Sequence, residues 1–311
     1  MNRKTLPAIL LSLALTTSTA APAQSIEGRW MLDFDREDGL VQLTMKRSSA
    51  RGNWNNTCNY EISEFRGLSR PARGAAAPAR FEMARDAGTV RFDGQLDDTG
   101  GSGRFQFAAN PEFASAWQAR GYSSLTDDQS YSFTLHDVSR KFLDDLRSLG
   151  YDRVPADDLV SMRIHGASPE FIGELKALGY DKLPVEELIS MRIHGASPES
   201  IHQLKALGYD RLSAEELVSM RIHGASPEFA RELQALGYKR VDAEELVNMR
   251  IHGVSPEYIR QLQALGYKQV PVDELVNMKI HGVTIEYVKK IKGRYPDVST
   301  DELVNMRIHG R

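Results

Sequence analysis

Apolar positions along this chain follow two different rhythms, and the change comes near residue 110. From Ser25 to Asn110 they alternate with polar ones, as in Phe81-Glu82-Met83, Val90-Arg91-Phe92 and Phe105-Gln106-Phe107, with Leu40, Leu43 and Met45 in a further short run. Period-two alternation marks a strand with one buried face. Turn-forming clusters separate the runs at Asp38-Gly39, Arg51-Gly52-Asn53, Asp86-Ala87-Gly88 and Thr99-Gly100-Gly101. The pattern predicts five or six antiparallel strands in a small sandwich or half-barrel over residues 24–110. A loop is expected from Arg66 to Arg80, a stretch rich in Arg, Ala, Pro and Gly.

Beyond residue 110 the rhythm becomes helical and repeats. His136, His165, His194, His223, His252 and His281 recur every 29 residues, and His309 follows after 28. A fixed period of this size is the signature of a stacked repeat array. One unit runs from Ser168 to Ala196. Ser168 is suited to cap a helix, Pro169 to its first position and Glu170 to its positive end. Phe171, Ile172, Leu175 and Leu178 form one buried stripe. Gly179 stops the helix, with Tyr180 placed as the apolar residue of a Schellman motif against Leu175. A second helix follows Leu183, with Leu188, Ile189, Met191 and Ile193 as a broad apolar face and a stop at Gly195. In sister units Ser213 with Glu216, and Ser299 with Glu302, read as capping boxes.

Helices of about ten residues are marginal alone, so the units must stack. The expected fold class is α+β: a small antiparallel β domain, then an α-solenoid of short two-helix repeats over residues 111–311. Pro111-Glu112-Phe113 lies two periods before Pro169-Glu170-Phe171, so the first unit is degenerate, with Tyr131, Phe133 and Leu135 in place of Val160, Met162 and Ile164. The last unit, through Lys289 to Tyr295, is one residue short and more charged, as an end cap would be.

The chain starts with a basic residue pair, Arg3 and Lys4, a short apolar run from Leu6 to Leu15, and Ala21-Pro22-Ala23. This reads as a signal peptide over residues 1–23, cleaved after Ala23 or after Ala20, and predicts an exported protein, periplasmic or secreted. No segment is apolar for long enough to span a bilayer. The single cysteine, Cys58, has no internal partner and reads as a half-buried strand residue. Formal net charge is -3, and residues 24–110 carry twelve basic and twelve acidic side chains, so the acidic excess lies in the array. That balance argues against a nucleic-acid partner.

Candidate chemistry is sparse. Trp30 and Trp54 suit the β core better than a ligand platform. Neighbouring histidines of the ladder stand too far apart to share a metal ion, and no unit supplies a second donor, so no metal and no cofactor is expected. At a helix C-terminus each histidine faces the negative end of the dipole. Glu186, Ser190 and His194 mimic a hydrolase triad on one helix face. However, the serine of Ser161, Ser190 and Ser219 becomes Asn248, Asn277 and Asn305 elsewhere, which a nucleophile cannot do. No catalytic residue is assigned. The candidate binding residues are the basic ladder Arg163, Arg192, Arg221, Arg250, Lys279 and Arg307, which suits an acidic peptide, a glycan acid or lipid headgroups. Alternatively each cation pairs with a carboxylate of an adjacent unit, such as Glu187 or Glu199.

The motif M-R-I-H-G-[AV]-S-P-E-[FY], followed by L-x-A-L-G-Y, resembles a repeat of uncharacterised secreted bacterial proteins. It is also similar to the C-terminal repeat region of some antirepressors of the β-lactam-sensor type, which carry a metalloprotease domain. The likeness covers residues 111–311 and extends loosely to Gly28-Arg29-Trp30 and Asn110-Pro111-Glu112-Phe113. It implies an envelope protein with a sensing or scaffolding role. No H-E-x-x-H occurs here, so protease activity does not carry over. The expected function is therefore a non-enzymatic interaction protein that holds a protein, peptide or envelope polymer. The alternatives are a hydrolase with a site near Trp117 and Asp127-Asp128, or a purely structural spacer.

Overall fold

The computed structural model describes residues 26–34, 39–49 and 52–310, so the signal segment read at 1–23 lies outside the described residues. The chain divides into two compact units. One holds the strands; the other holds residues 84–89 and everything from Ala109 onward.

Six strands form one antiparallel sheet: β1 (Ile26–Phe34), β2 (Leu40–Ser49), β3 (Gly52–Glu61), β4 (Ala76–Arg85), β5 (Gly88–Asp97) and β6 (Gly100–Ala109). Their spatial order is β3-β2-β1-β6-β5-β4, two three-stranded meanders joined where β1 pairs with β6. Of the apolar residues read from the alternation, Leu43, Met45, Phe81, Met83, Val90, Phe92, Phe105 and Phe107 lie in the core, together with Trp30, Leu32 and Val41, whereas Leu40 falls on the other parity and is half-buried. Trp30 meets Phe81 edge-on at 5.2 Å, and Phe81 stacks on Phe92 at 4.6 Å. The Trp30 indole donates to the Asp93 carbonyl at 3.2 Å, so its polar atom is satisfied. Gly94 makes room for that indole, since a Cβ there would lie 2.8 Å from the ring.

Among the described residues there is no second sheet, because this one curls on itself. After a 3-10 turn at Ile62–Glu64, Phe65 touches Tyr60 on edge strand β3 at 5.6 Å and Phe81 on edge strand β4 at 5.7 Å. The half-barrel reading therefore holds and the sandwich reading does not. The expected Arg66–Arg80 loop is shorter than the sequence suggested. Arg66 bridges to Glu82, and Ala76 to Arg80 already belong to β4. Cys58 is half-buried in β3, as expected.

The second unit contains seven helix pairs among the described residues: α1 (Pro111–Ala119) with α2 (Asp127–Leu135), α3 (Arg140–Ser148) with α4 (Ala156–His165), and α5 (Pro169–Ala177) with α6 (Val185–Ile193). They continue as α7 (Pro198–Ala206) with α8 (Ala214–His223), and α9 (Pro227–Ala235) with α10 (Ala243–Ile251). The last are α11 (Pro256–Ala264) with α12 (Val272–Ile280), and α13 (Ile285–Lys292) with α14 (Thr300–Ile308). Each odd helix packs on the next odd helix and each even helix on the next even one, which makes an α-solenoid of two layers.

Local sequence explains both ends of these helices. The Ser168, Ser197, Ser226 and Ser255 hydroxyls accept from backbone amides three residues on, with Pro as first helical residue. Capping boxes close at Ser213/Glu216 and Ser299/Glu302, as read, and at Asp242/Glu245. Pro155, Pro184 and Pro271 occupy the cap of α4, α6 and α12, where no side-chain cap bond forms. At the odd-helix stop Gly179 takes φ +91°, and the Tyr180 amide donates to the Leu175 carbonyl at 3.0 Å, the Schellman bond.

Candidate binding edge of the helical array

From α4 onward every even helix ends in Met, a cation, Ile, His and Gly. Met162, Met191, Met220, Met249 and Met278 are buried, and Leu159 and Leu188 point the same way. Each residue turns the helix by about 100°, so the Ile two positions after a buried Met sits about 200° round, on the opposite side. Ile164, Ile193, Ile222, Ile251, Ile280 and Ile308 are accordingly 51–55% exposed. This corrects the sequence reading of Ile193 as part of the buried face. Ile189 is half-buried against the core. His165, His194, His223, His252, His281 and His309 are exposed beside them. Only the degenerate first unit differs, with Leu135 buried at the equivalent place.

Five of the six ladder cations are engaged within the array, and none is paired to Glu187 or Glu199. Arg163 donates to the His136 carbonyl at 2.9 Å and to Asp137 at 2.7 Å, and it lies over the Phe142 ring at 5.2 Å. Arg192 donates to the His165 carbonyl at 3.3 Å and covers Phe171 at 5.1 Å. Arg250 covers Phe229, Lys279 covers Tyr258 and Arg307 covers Tyr287, at 5.1, 4.8 and 5.0 Å. Arg221 has no ring beneath it, because Ser200 stands where the other units carry Phe or Tyr. The other five cations thus each stack on the aromatic residue of their own unit. Arg163 and Arg192 also cap the negative helix end of the unit before. The expected pairing with a carboxylate of an adjacent unit occurs at Arg163, through Asp137, but not through Glu187, which like Glu216 sits in the first turn of its helix, at the far end from the C-terminal cations.

The odd helices use the same device, which sequence reading missed. Lys205, Gln234 and Gln263 donate to the carbonyls of Leu178, Leu207 and Leu236 at 2.7, 2.9 and 3.0 Å. The constant offset of 27 residues is the only sequence signal for it. The tyrosines also do more than pack. Hydroxyls of Tyr151, Tyr180, Tyr209 and Tyr238 donate to the carbonyls of Leu183, Leu212, Val241 and Val270 at 2.8 Å, and Tyr267 donates to Val298 at 2.7 Å. Burial raises the pKa of all five hydroxyls, so they remain donors.

His136, half-buried in the first unit, has its pKa lowered by burial and then by Arg85 and Arg163. Among the described residues no group of three His, Cys, Asp or Glu side chains is placed to hold a metal ion. Glu186 opens α6 and His194 closes it, so they stand about 12 Å apart along the axis rather than converging. Trp117 is buried, stacked on Tyr122 at 3.7 Å, with its indole donating to the Ser123 carbonyl at 2.8 Å. Asp127 and Asp128 form the first turn of α2. A shallow groove of about 230 Å³ runs beside Asp128, Ser132, Asp157 and Val160. Its counterpart two units on, at Glu186, Ser190, Glu215 and Val218, measures about 280 Å³, so it belongs to the repeated building unit.

What the array presents is therefore a row of isoleucines, each beside an exposed histidine and a cation that, except for Arg221, is already engaged at its base. Such an edge can bury apolar side chains and orient acidic ones. Comparison of the chain with protein-family models, with curated proteins and with solved structures returned no match.

Proposed function

We propose that this is an exported, non-enzymatic interaction protein that holds a protein or peptide segment along the isoleucine edge of its helical array. The observation that carries the reading is the row Ile164 to Ile308, exposed by about half in six successive units. Sequence at other positions drifts between units, as Ser190 to Asn248 or Phe171 to Ser200, yet this apolar residue is kept where the fold does not bury it. Regular exposed apolar rows are a feature of interaction surfaces. The cations contribute a positive rim, while their ring and carbonyl contacts give them a structural duty as well. Export rests on the basic and apolar start of the chain.

Full-length protein and the Ile193→Ser/Ile222→Ser/Ile251→Ser variant are to be compared as bait in an envelope extract, with bound proteins identified by crosslinking. The expected result is a crosslinked partner at this edge that the variant loses. Equal recovery by both would remove the isoleucine edge from the account.

A further inference from the structure

We propose a second, separate binding site on the outer face of the sheet, where Lys46, Arg29 and Arg104 hold a ligand bearing two or more phosphate-type anionic groups. The register places all three in one cross-strand row: Arg29 lies opposite Lys46 of β2 on one side and Arg104 of β6 on the other. Residues directly opposite point to the same face, and all three side chains are exposed. Like charges so placed, with Cβ atoms about 5 Å apart, weaken strand pairing. Elsewhere the sheet neutralises its arginines: Arg66 and Arg91 reach Glu82 at 3.1 and 3.8 Å, and Arg80 reaches Asp93 at 3.3 Å. Among the described residues, Lys46, Arg29 and Arg104 make no ion pair or side-chain hydrogen bond. Three cations are thus lined up against their own repulsion without an ion pair to relieve it, and one carboxylate on that face, Glu27, lines the adjoining depression.

The row's surroundings suit an oxyanion. In the next cross-strand row Met31 stands between Thr44 and Ser102, whose hydroxyls can donate. A depression of about 470 Å³ is lined by Arg29, Met31, Thr44, Lys46, Ser102 and Arg104. It adjoins a smaller one of about 270 Å³ that shares Arg29 and Arg104. Guanidinium forks favour bidentate contact with phosphate-type oxygens, and a row of three cations calls for more than one negative charge. Met31, 50% exposed, gives an apolar contact beside the charges. The same chemistry can therefore arrive as a free polyphosphate or as a phosphorylated lipid headgroup.

Titration calorimetry of the full chain with tripolyphosphate and with orthophosphate tests this. Tripolyphosphate is expected to bind more tightly than orthophosphate, and R29Q/K46Q/R104Q to weaken it by about tenfold or more. A control, R80Q/R91Q, removes two cations of the same sheet and is expected to leave affinity unchanged. The triple variant is also expected to unfold at equal or higher urea concentration, because the repulsion is gone. Absent tripolyphosphate binding, equal weakening in the control, or a lower unfolding midpoint for the triple variant would each overturn the proposal. Vesicles of cardiolipin, whose headgroup carries two phosphates, in phosphatidylcholine separate the sources. Retention that needs the three residues assigns a lipid-borne group, and no retention assigns a free one.

Discussion

In the sheet unit, Trp30, Phe65, Phe81, Phe92 and Phe105 come from five separate stretches of chain and meet in one aromatic cluster. In the helical unit the helices pack chiefly on those of the repeats next to them. Long-range pairing makes the sheet all-or-none, whereas nearest-neighbour stacking lets an array tolerate local loss. The same difference governs where binding groups can sit. A sheet builds one site from distant residues, and an array builds an edge by copying one residue.

The largest expected effect breaks the sheet. Phe92→Ala should cost about 3–5 kcal/mol and unfold the whole β unit, read by urea denaturation. Leu217→Ala in the array should cost about 2–5 kcal/mol. Its faster hydrogen exchange should be confined to α8 and the units on either side, and exchange spreading evenly through all seven pairs would erase the contrast. Next, excision of residues 197–225, one full period, should leave a folded array in which α6 packs on α10. Circular dichroism should lose the signal of one helix pair, and loss of much more would contradict nearest-neighbour stacking.

Much of this was legible because the repeat writes its boundaries out. Ser-Pro-Glu starts recur in four units and Gly stops along the array, and β alternation set most core-facing residues of the sheet, though Trp54, read as core, is only half-buried, with Arg47 over its ring. The bonds between units were not legible, because a carbonyl carries no sequence signature. Nothing in the letters says that Tyr180 reaches the oxygen of Leu212, or that Arg192 reaches that of His165. Ile193 was misplaced for a different reason: apolar character was read as burial, although two residues past Met191 the helix has already turned away. The cation row on the sheet escaped notice because register, not sequence, brings Lys46, Arg29 and Arg104 together.

Smaller effects sharpen the account of the inter-unit bonds. Tyr209→Phe keeps the ring and removes the hydroxyl that serves Val241, so it should cost about 1 kcal/mol by urea denaturation. Arg250→Gln should cost about 0.5–1 kcal/mol through the lost contact with Phe229. Arg221→Gln, where Ser200 offers no ring, should cost less. Equal losses at both would show that stacking on the ring contributes nothing.

The central claim is that the isoleucine row lies outside the fold's own needs. Chemical denaturation of the Ile193→Ser/Ile222→Ser/Ile251→Ser variant tests this without knowing any partner. Unfolding free energy within about 0.5 kcal/mol of the unmodified protein for each substitution is predicted, as for surface positions. A loss of about 2 kcal/mol or more at each site, as for buried side chains, would contradict it.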